Sequence, residues 1–165
     1  MTLPACFARP EQSPDALPLV LVDAAGFEAW RGGQPAAVQA WLKAHAFGPR
    51  AGAPLLVPGG DGQPAFALAG LDDPNDPLAL AHLPALLPPG DYRLAAEAPA
   101  RVAPALAQLG WGLGAYSFDR YVKPSRAPAR LVLDGEPDAE AMALLASATL
   151  VRDLVNTPTE HMGPA

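Results

Sequence analysis

The residue types best able to do chemistry are scattered along this chain. His45, His82 and His161 stand in separate segments, and no two have the i, i+4 spacing that lets a helix present a pair to one metal ion. Cys6 is the single cysteine, so neither a disulfide framework nor a Cys/His zinc pattern can be built. It lies in a terminal segment with no activating partner nearby in sequence. Ser117 and Ser125 lack the flanking glycines of a nucleophile elbow. Asp72, Asp73 and Asp76 are close enough to share a hard cation, but Pro74 and Pro77 interrupt them and the central glycine of a calcium loop is missing. Helix capping and solvation account for these carboxylates more simply.

Other groupings read the same way. Gly59-Gly60-Asp61-Gly62 has no helix, lysine or Ser/Thr after it, so it is a turn rather than a phosphate cradle. Arg120, Lys123, Arg126 and Arg130 form a local basic group, read here as a solvated loop. Arg152 and Asp153 are neighbours on a helical pattern and therefore diverge; each could tie that helix to a following domain. No catalytic or metal-binding residue is identified.

The elements that would position these residues alternate. Leu17–Val22 is a short Leu/Val run closed by Asp23, the mark of a strand buried on both faces. Pro35 opens a helix with Val38, Trp41, Leu42 and His45 or Ala46 on one side, ending near Gly48. Strands at Ala53–Val57 and Pro64–Leu68 flank the glycine turn as a hairpin, with Pro54 and Pro64 at strand starts or edges. A helix capped by Asp76 runs to Pro88-Pro89-Gly90, a strand follows at Tyr92–Ala96, and a further helix runs from about Arg101 to Leu113. Gly110, Gly112 and Gly114 cost that helix about 1 kcal/mol each, which points to close backbone packing. After the alternating segment Tyr116–Tyr121 come a strand at Ala129–Leu133 and a helix opened by Pro137. In that helix Ala143, Ala146, Leu150 and Leu154 share a face, and Arg152 places positive charge near the end. Pro158 stops it, forcing Thr157 to be extended and leaving Asn156 as the last cap; Gly163-Pro164 reads as a new helix start. The order β, α, β, β, α, β, α, β, α predicts an α/β fold, a mixed, mostly parallel sheet flanked by helices.

Composition supports a folded domain. The 165 residues are 50% hydrophobic, and 21 prolines with 15 glycines remain below the roughly 25–30% typical of disordered chains. Net charge is −6, divided as −4 over residues 1–90 and −2 over 91–165, which disfavours nucleic-acid binding. The N-terminus has no basic segment followed by an apolar one, and no run of eighteen apolar residues occurs, so neither secretion nor membrane spanning is expected. The lone cysteine is consistent with a reducing, cytoplasmic setting.

Two stretches carry a family resemblance. Arg152-Asp153-Leu154-Val155-Asn156-Thr157-Pro158, followed by Met162-Gly163-Pro164, resembles the junction between the N-terminal and catalytic domains of leucyl aminopeptidases (cytosol aminopeptidases, peptidase family M17). Trp111-Gly112-Leu113-Gly114-Ala115-Tyr116-Ser117-Phe118-Asp119-Arg120-Tyr121 is similar to the segment that precedes it. Together they cover about the last third of the chain.

The resemblance implies residues 1–155 as an N-terminal α/β domain and 156–165 as the junction and start of a C-terminal catalytic domain. It implies a hexameric cytoplasmic enzyme that removes N-terminal residues, often leucine, from peptides. In the family, two divalent metals, zinc or manganese, polarise the scissile carbonyl and activate a bridging water. Their ligands, partly in an Asn-Thr-Asp-Ala-Glu-Gly-Arg motif, have no counterpart here. No cofactor is therefore expected in this chain, and only Arg152, Asp153, Asn156, Thr157 and Pro158 carry over, as the junction. The alternative reading is a stand-alone α/β module holding a small anionic ligand or a partner on its glycine-rich turns.

Overall fold

The computed structural model describes residues 3–121 and 126–158. Lys123, Ser125, His161 and the expected helix start at Gly163-Pro164 lie outside them. Six strands, β1 (Phe7–Ala8), β2 (Leu17–Val22), β3 (Leu55–Pro58), β4 (Pro64–Gly70), β5 (Asp91–Leu94) and β6 (Arg130–Val132), form one sheet in the order β1-β6-β5-β2-β4-β3. The helices are α1 (Phe27–Gly32), α2 (Ala36–Ala44), α3 (Leu83–Leu86), α4 (Pro104–Gly114) and α5 (Ala139–Asn156). All pairings are parallel except the β3–β4 hairpin at one edge, so the expected mixed, mostly parallel α/β sheet is found. The hairpin closes through Gly59–Gly62: Gly59 N–H donates to the Gln63 carbonyl, and Gly62 takes a φ of 80°.

Strand alternation divides the core in two. Leu19 and Leu21 of β2 and Ala67 and Ala69 of β4 pack with Leu83 of α3, Trp111 of α4 and Met142 and Leu145 of α5. Val22 and Leu68 point the other way, to Phe27 of α1 and Leu42 of α2. Helices α3, α4 and α5 therefore cover one face of the sheet, and α1 and α2 the other. Trp111 is wholly buried, and its indole N–H donates to the Ala129 carbonyl at 3.2 Å, fastening α4 to the entry of β6.

Several expectations are corrected. The helix expected from Asp76 to Leu87 is only Leu83–Leu86, because Pro84 has no N–H for the Leu80 carbonyl and its ring crowds that turn. Upstream the chain makes successive turns, and Asp76 caps one by accepting from Leu78 N–H at 2.8 Å. Strand β1 and helix α1 were not expected. β1 is two residues long and is recognisable only through its partner Leu131–Val132; α1 is a short helix begun by Asp23, which accepts from Gly26 N–H at 2.7 Å. On α5 the buried residues are Ala141, Met142 and Leu145, whereas Ala143, Ala146, Leu150 and Leu154 are exposed. The helix is apolar on both sides, so shared spacing could not say which side faces the core.

The glycines of α4 are where backbones meet. A Cβ on Gly110 would stand 2.8 Å from the Pro77 carbonyl oxygen, and one on Gly114 would overlap the carbonyl of Ala81. On Gly112 it would overlap the Leu145 side chain of α5. Close packing, as the sequence suggested, is the reason for them. Gly114→Ala is therefore expected to destabilise the domain by about 2–3 kcal/mol, read as a lower urea midpoint, despite the better helix propensity of alanine.

At the other end of the sheet, Arg130 grips Asp91 with two bonds, Nε to Oδ1 at 2.6 Å and Nη2 to Oδ2 at 2.7 Å, and Ser13 Oγ also donates to Asp91. The Arg130 hydrogen bonds hold the Asp91 carboxyl below the usual aspartate range. A carboxyl lowered in the folded state stabilises above its unfolded pKa and loses that contribution as pH falls toward the folded value. Asp91→Asn should lower stability near neutral pH and flatten its decline below about pH 4, as checked by chemical denaturation at a series of pH values.

Candidate functional site

The densest polar cluster on one element lies at the end of α5, where the junction residues fall. Asp138 starts the helix by accepting from Ala141 N–H at 2.8 Å. Past the end of the helix stands Pro158, and Thr157 has the extended φ of −83° and ψ of 122° imposed before a proline. Thr157 turns back on the helix: its N–H and its hydroxyl both donate to the Asp153 carbonyl, at 3.0 and 2.6 Å. Arg120 Nη1 donates to the Thr157 hydroxyl at 3.4 Å.

Tyr116, just past α4, is the centre of the cluster. Its hydroxyl donates to Asp153 Oδ1 at 2.8 Å and accepts from Asn156 Nδ2 at 3.2 Å. The Arg152 guanidinium lies 5.1 Å from its ring centre and donates to the Leu113 carbonyl at 2.8 Å. Arg152 and Asp153 do diverge, and both bind the helix to its own domain. Arg152 satisfies the end of α4 and not of α5. Arg152, Asp153, Asn156 and Thr157 are thus brought together, and the aromatic segment singled out in sequence supplies their partner.

Residues with nominal catalytic ability are buried or engaged elsewhere, His82 Nε2 being buried without a hydrogen-bond partner. Burial pushes the Cys6 thiol up to about 11, so it is a core atom and not a nucleophile. The His45 ring packs tilted against Trp41 with its Nδ1 2.9 Å from the Trp41 carbonyl, and His82 is lowered below the usual histidine range by burial. Asp72, Asp73 and Asp76 each accept from a loop N–H, of Ala51, Asn75 and Leu78. Among the described residues, no three His, Cys, Asp or Glu side chains are grouped to hold a metal ion. Arg126 donates to the Ala85 and Leu87 carbonyls and Arg130 is held by Asp91, so these arginines are not poised for phosphate.

A groove of about 710 Å³ runs beside α5, lined by Cys6, Gly112, Tyr116, Met142, Leu150 and Asp153 among others. Of its two carboxylates Asp153 already receives Tyr116 and Asp119 stands beside Ser117, while burial disfavours ionisation of its Cys6 thiol. A second hollow of about 540 Å³, between α1 and α2, holds Arg31 and Lys43, with Arg31 paired to Glu28 at 2.5 Å.

No curated protein sequence matches the chain. Among solved structures, cytosol aminopeptidase from Coxiella burnetii superposes with a TM-score of 0.83 at 30% identity, over 96% of this chain and 35% of that one. The bottromycin maturation enzyme BotP, in complex with Mn, superposes at 0.55 with 25% identity, over 91% of this chain and 33% of its own. A further BotP structure, at 24% identity and a TM-score of 0.59, shares the fold. The chain therefore spans about a third of the length of the enzymes it resembles. The family model described as M17 aminopeptidase, N-terminal domain, matches residues 17–134, and the chain belongs to that family.

Proposed function

We propose that this chain serves as the N-terminal, non-catalytic domain of a leucyl-aminopeptidase-like metallo-exopeptidase. The observation that carries the reading is the likeness to the Coxiella cytosol aminopeptidase over nearly the whole of this chain and only 35% of that enzyme. In this reading residues 1–155 are the domain and 156–165 the junction, with Arg152, Asp153, Asn156, Thr157 and Pro158 setting the exit direction.

The donor chemistry of the chain fits that division of labour. Two divalent ions, zinc or manganese, need several unengaged carboxylate or imidazole ligands. The carboxylates of Asp73, Asp76, Asp91 and Asp153 and the His45 ring are spent on loop N–H groups, Arg130, Tyr116 and the Trp41 carbonyl and ring. They do not fit such a pair, so no hydrolytic step is routed through this chain. The metals, peptide substrates and hexameric assembly belong, in this reading, to a longer cytoplasmic protein; among the described residues no helix is long and apolar enough to cross a membrane.

The anionic-ligand alternative loses its sequence support. Gly59–Gly62 closes a hairpin, and Gly110–Gly114 lies under the 77–81 backbone and Leu145. A leucine anilide assay with added zinc or manganese tests the proposal. The 165-residue chain should be inactive, and the gene product extended through a catalytic domain should cleave only with metal. Cleavage by the short chain, or a metal-independent long one, contradicts it.

A further inference from the structure

Helix α5 leaves large apolar side chains exposed along the side that does not pack on its own domain. Residues 141–156 contain two charges, Arg152 and Asp153, and both are turned back to Leu113 and Tyr116. At 3.6 residues per turn, Leu150, Leu154 and Val151 fall on the side away from buried Ala141 and Leu145, with Leu144 and Val155 at its edge. These five are 51% to 78% exposed, Val155 the most. A helix apolar all round is stable in water only when both sides are covered.

We infer that this second side of α5 is the seat of the catalytic domain, an interdomain contact centred on Leu150, Val151, Leu154 and Val155. The inference rests on the functional reading above and adds to it the surface and its occupant. Three observations select that occupant. Helix α5 lies wholly beyond the family model for the N-terminal domain, which ends at residue 134. The match covers 35% of the Coxiella enzyme, which leaves 65% of that chain outside this fold. The exposed side chains cluster in the last two turns of α5, beside the junction residues, and the Tyr116 cluster holds those turns rigid. A domain following Pro158 meets this side first.

Thiol labelling of the Leu154→Cys variant tests it, since native Cys6 is buried and slow to react. Gly60→Cys, at the open hairpin tip, is the reference. In the 165-residue chain the thiol introduced by Leu154→Cys should react with DTNB as fast as the one introduced by Gly60→Cys. In the extended protein the hairpin-tip thiol should be unchanged and the α5 thiol about tenfold slower or more. Val155→Cys repeats the measurement should Leu154→Cys fold poorly. Equal labelling in an extended protein that retains metal-dependent cleavage overturns the contact and leaves the functional reading standing. Protection in the short chain that disappears on dilution, with a dimer in light scattering, assigns the surface to a second copy and overturns it as well. An extended protein without metal-dependent activity instead removes the functional reading.

Discussion

The close approach of α4 to its neighbours is the constraint from which the far end of the molecule follows. Side chains at 110, 112 and 114 would each meet an occupied position: the Pro77 carbonyl, Leu145, and the Ala81 carbonyl. Glycine at all three lets the 77–81 turns and α5 settle onto one helix. The favourable term is the burial of Trp111, Leu83, Met142 and Leu145 against the sheet, with each large side chain worth about 1.5–3 kcal/mol. That outweighs the roughly 1 kcal/mol that each glycine costs in helix propensity. Once α4 is fixed, Tyr116 just beyond it is fixed too, and Tyr116 sets the last turn of α5.

Several polar groups hold this frame. Asp91 and Arg130 bind β5 to β6, Arg126 binds the end of α3, and Arg152, Asp153, Asn156 and Thr157 bind α5 to the segment after α4. Catalytic groups differ in kind, because they keep a lone pair or proton available in a cleft. Here the charged residues at the end of α5 are engaged in this way, while the apolar side chains beside them stay exposed.

Much of this was legible in the sequence. The buried Leu/Val run of β2, the hairpin around Gly59–Gly62 and the glycines of α4 carry local signals that tertiary structure did not override. β1 was not legible, because two residues have no periodicity and are a strand only beside Leu131 and Val132. The helix before Pro88 was overread: the apolar spacing from Leu78 was real, but it serves turns packed on Gly110 and Gly114, and Pro84 confines the helix to one turn. At the candidate site the residue types of the junction were visible, yet their partners were not. That Arg152 and Asp153 turn inward depends on Leu113 and Tyr116, 37 to 39 residues earlier. Spacing on α5 grouped Leu150 with Leu154 correctly but could not show that this group faces out.

The central claim, that this domain carries structure and attachment while the metals are held elsewhere, is tested most directly by counting metal. Elemental analysis after exhaustive dialysis against zinc or manganese should find close to two ions per chain in the protein extended through its catalytic domain. The 165-residue chain should retain none. A stoichiometric ion tightly retained by the short chain would contradict the account.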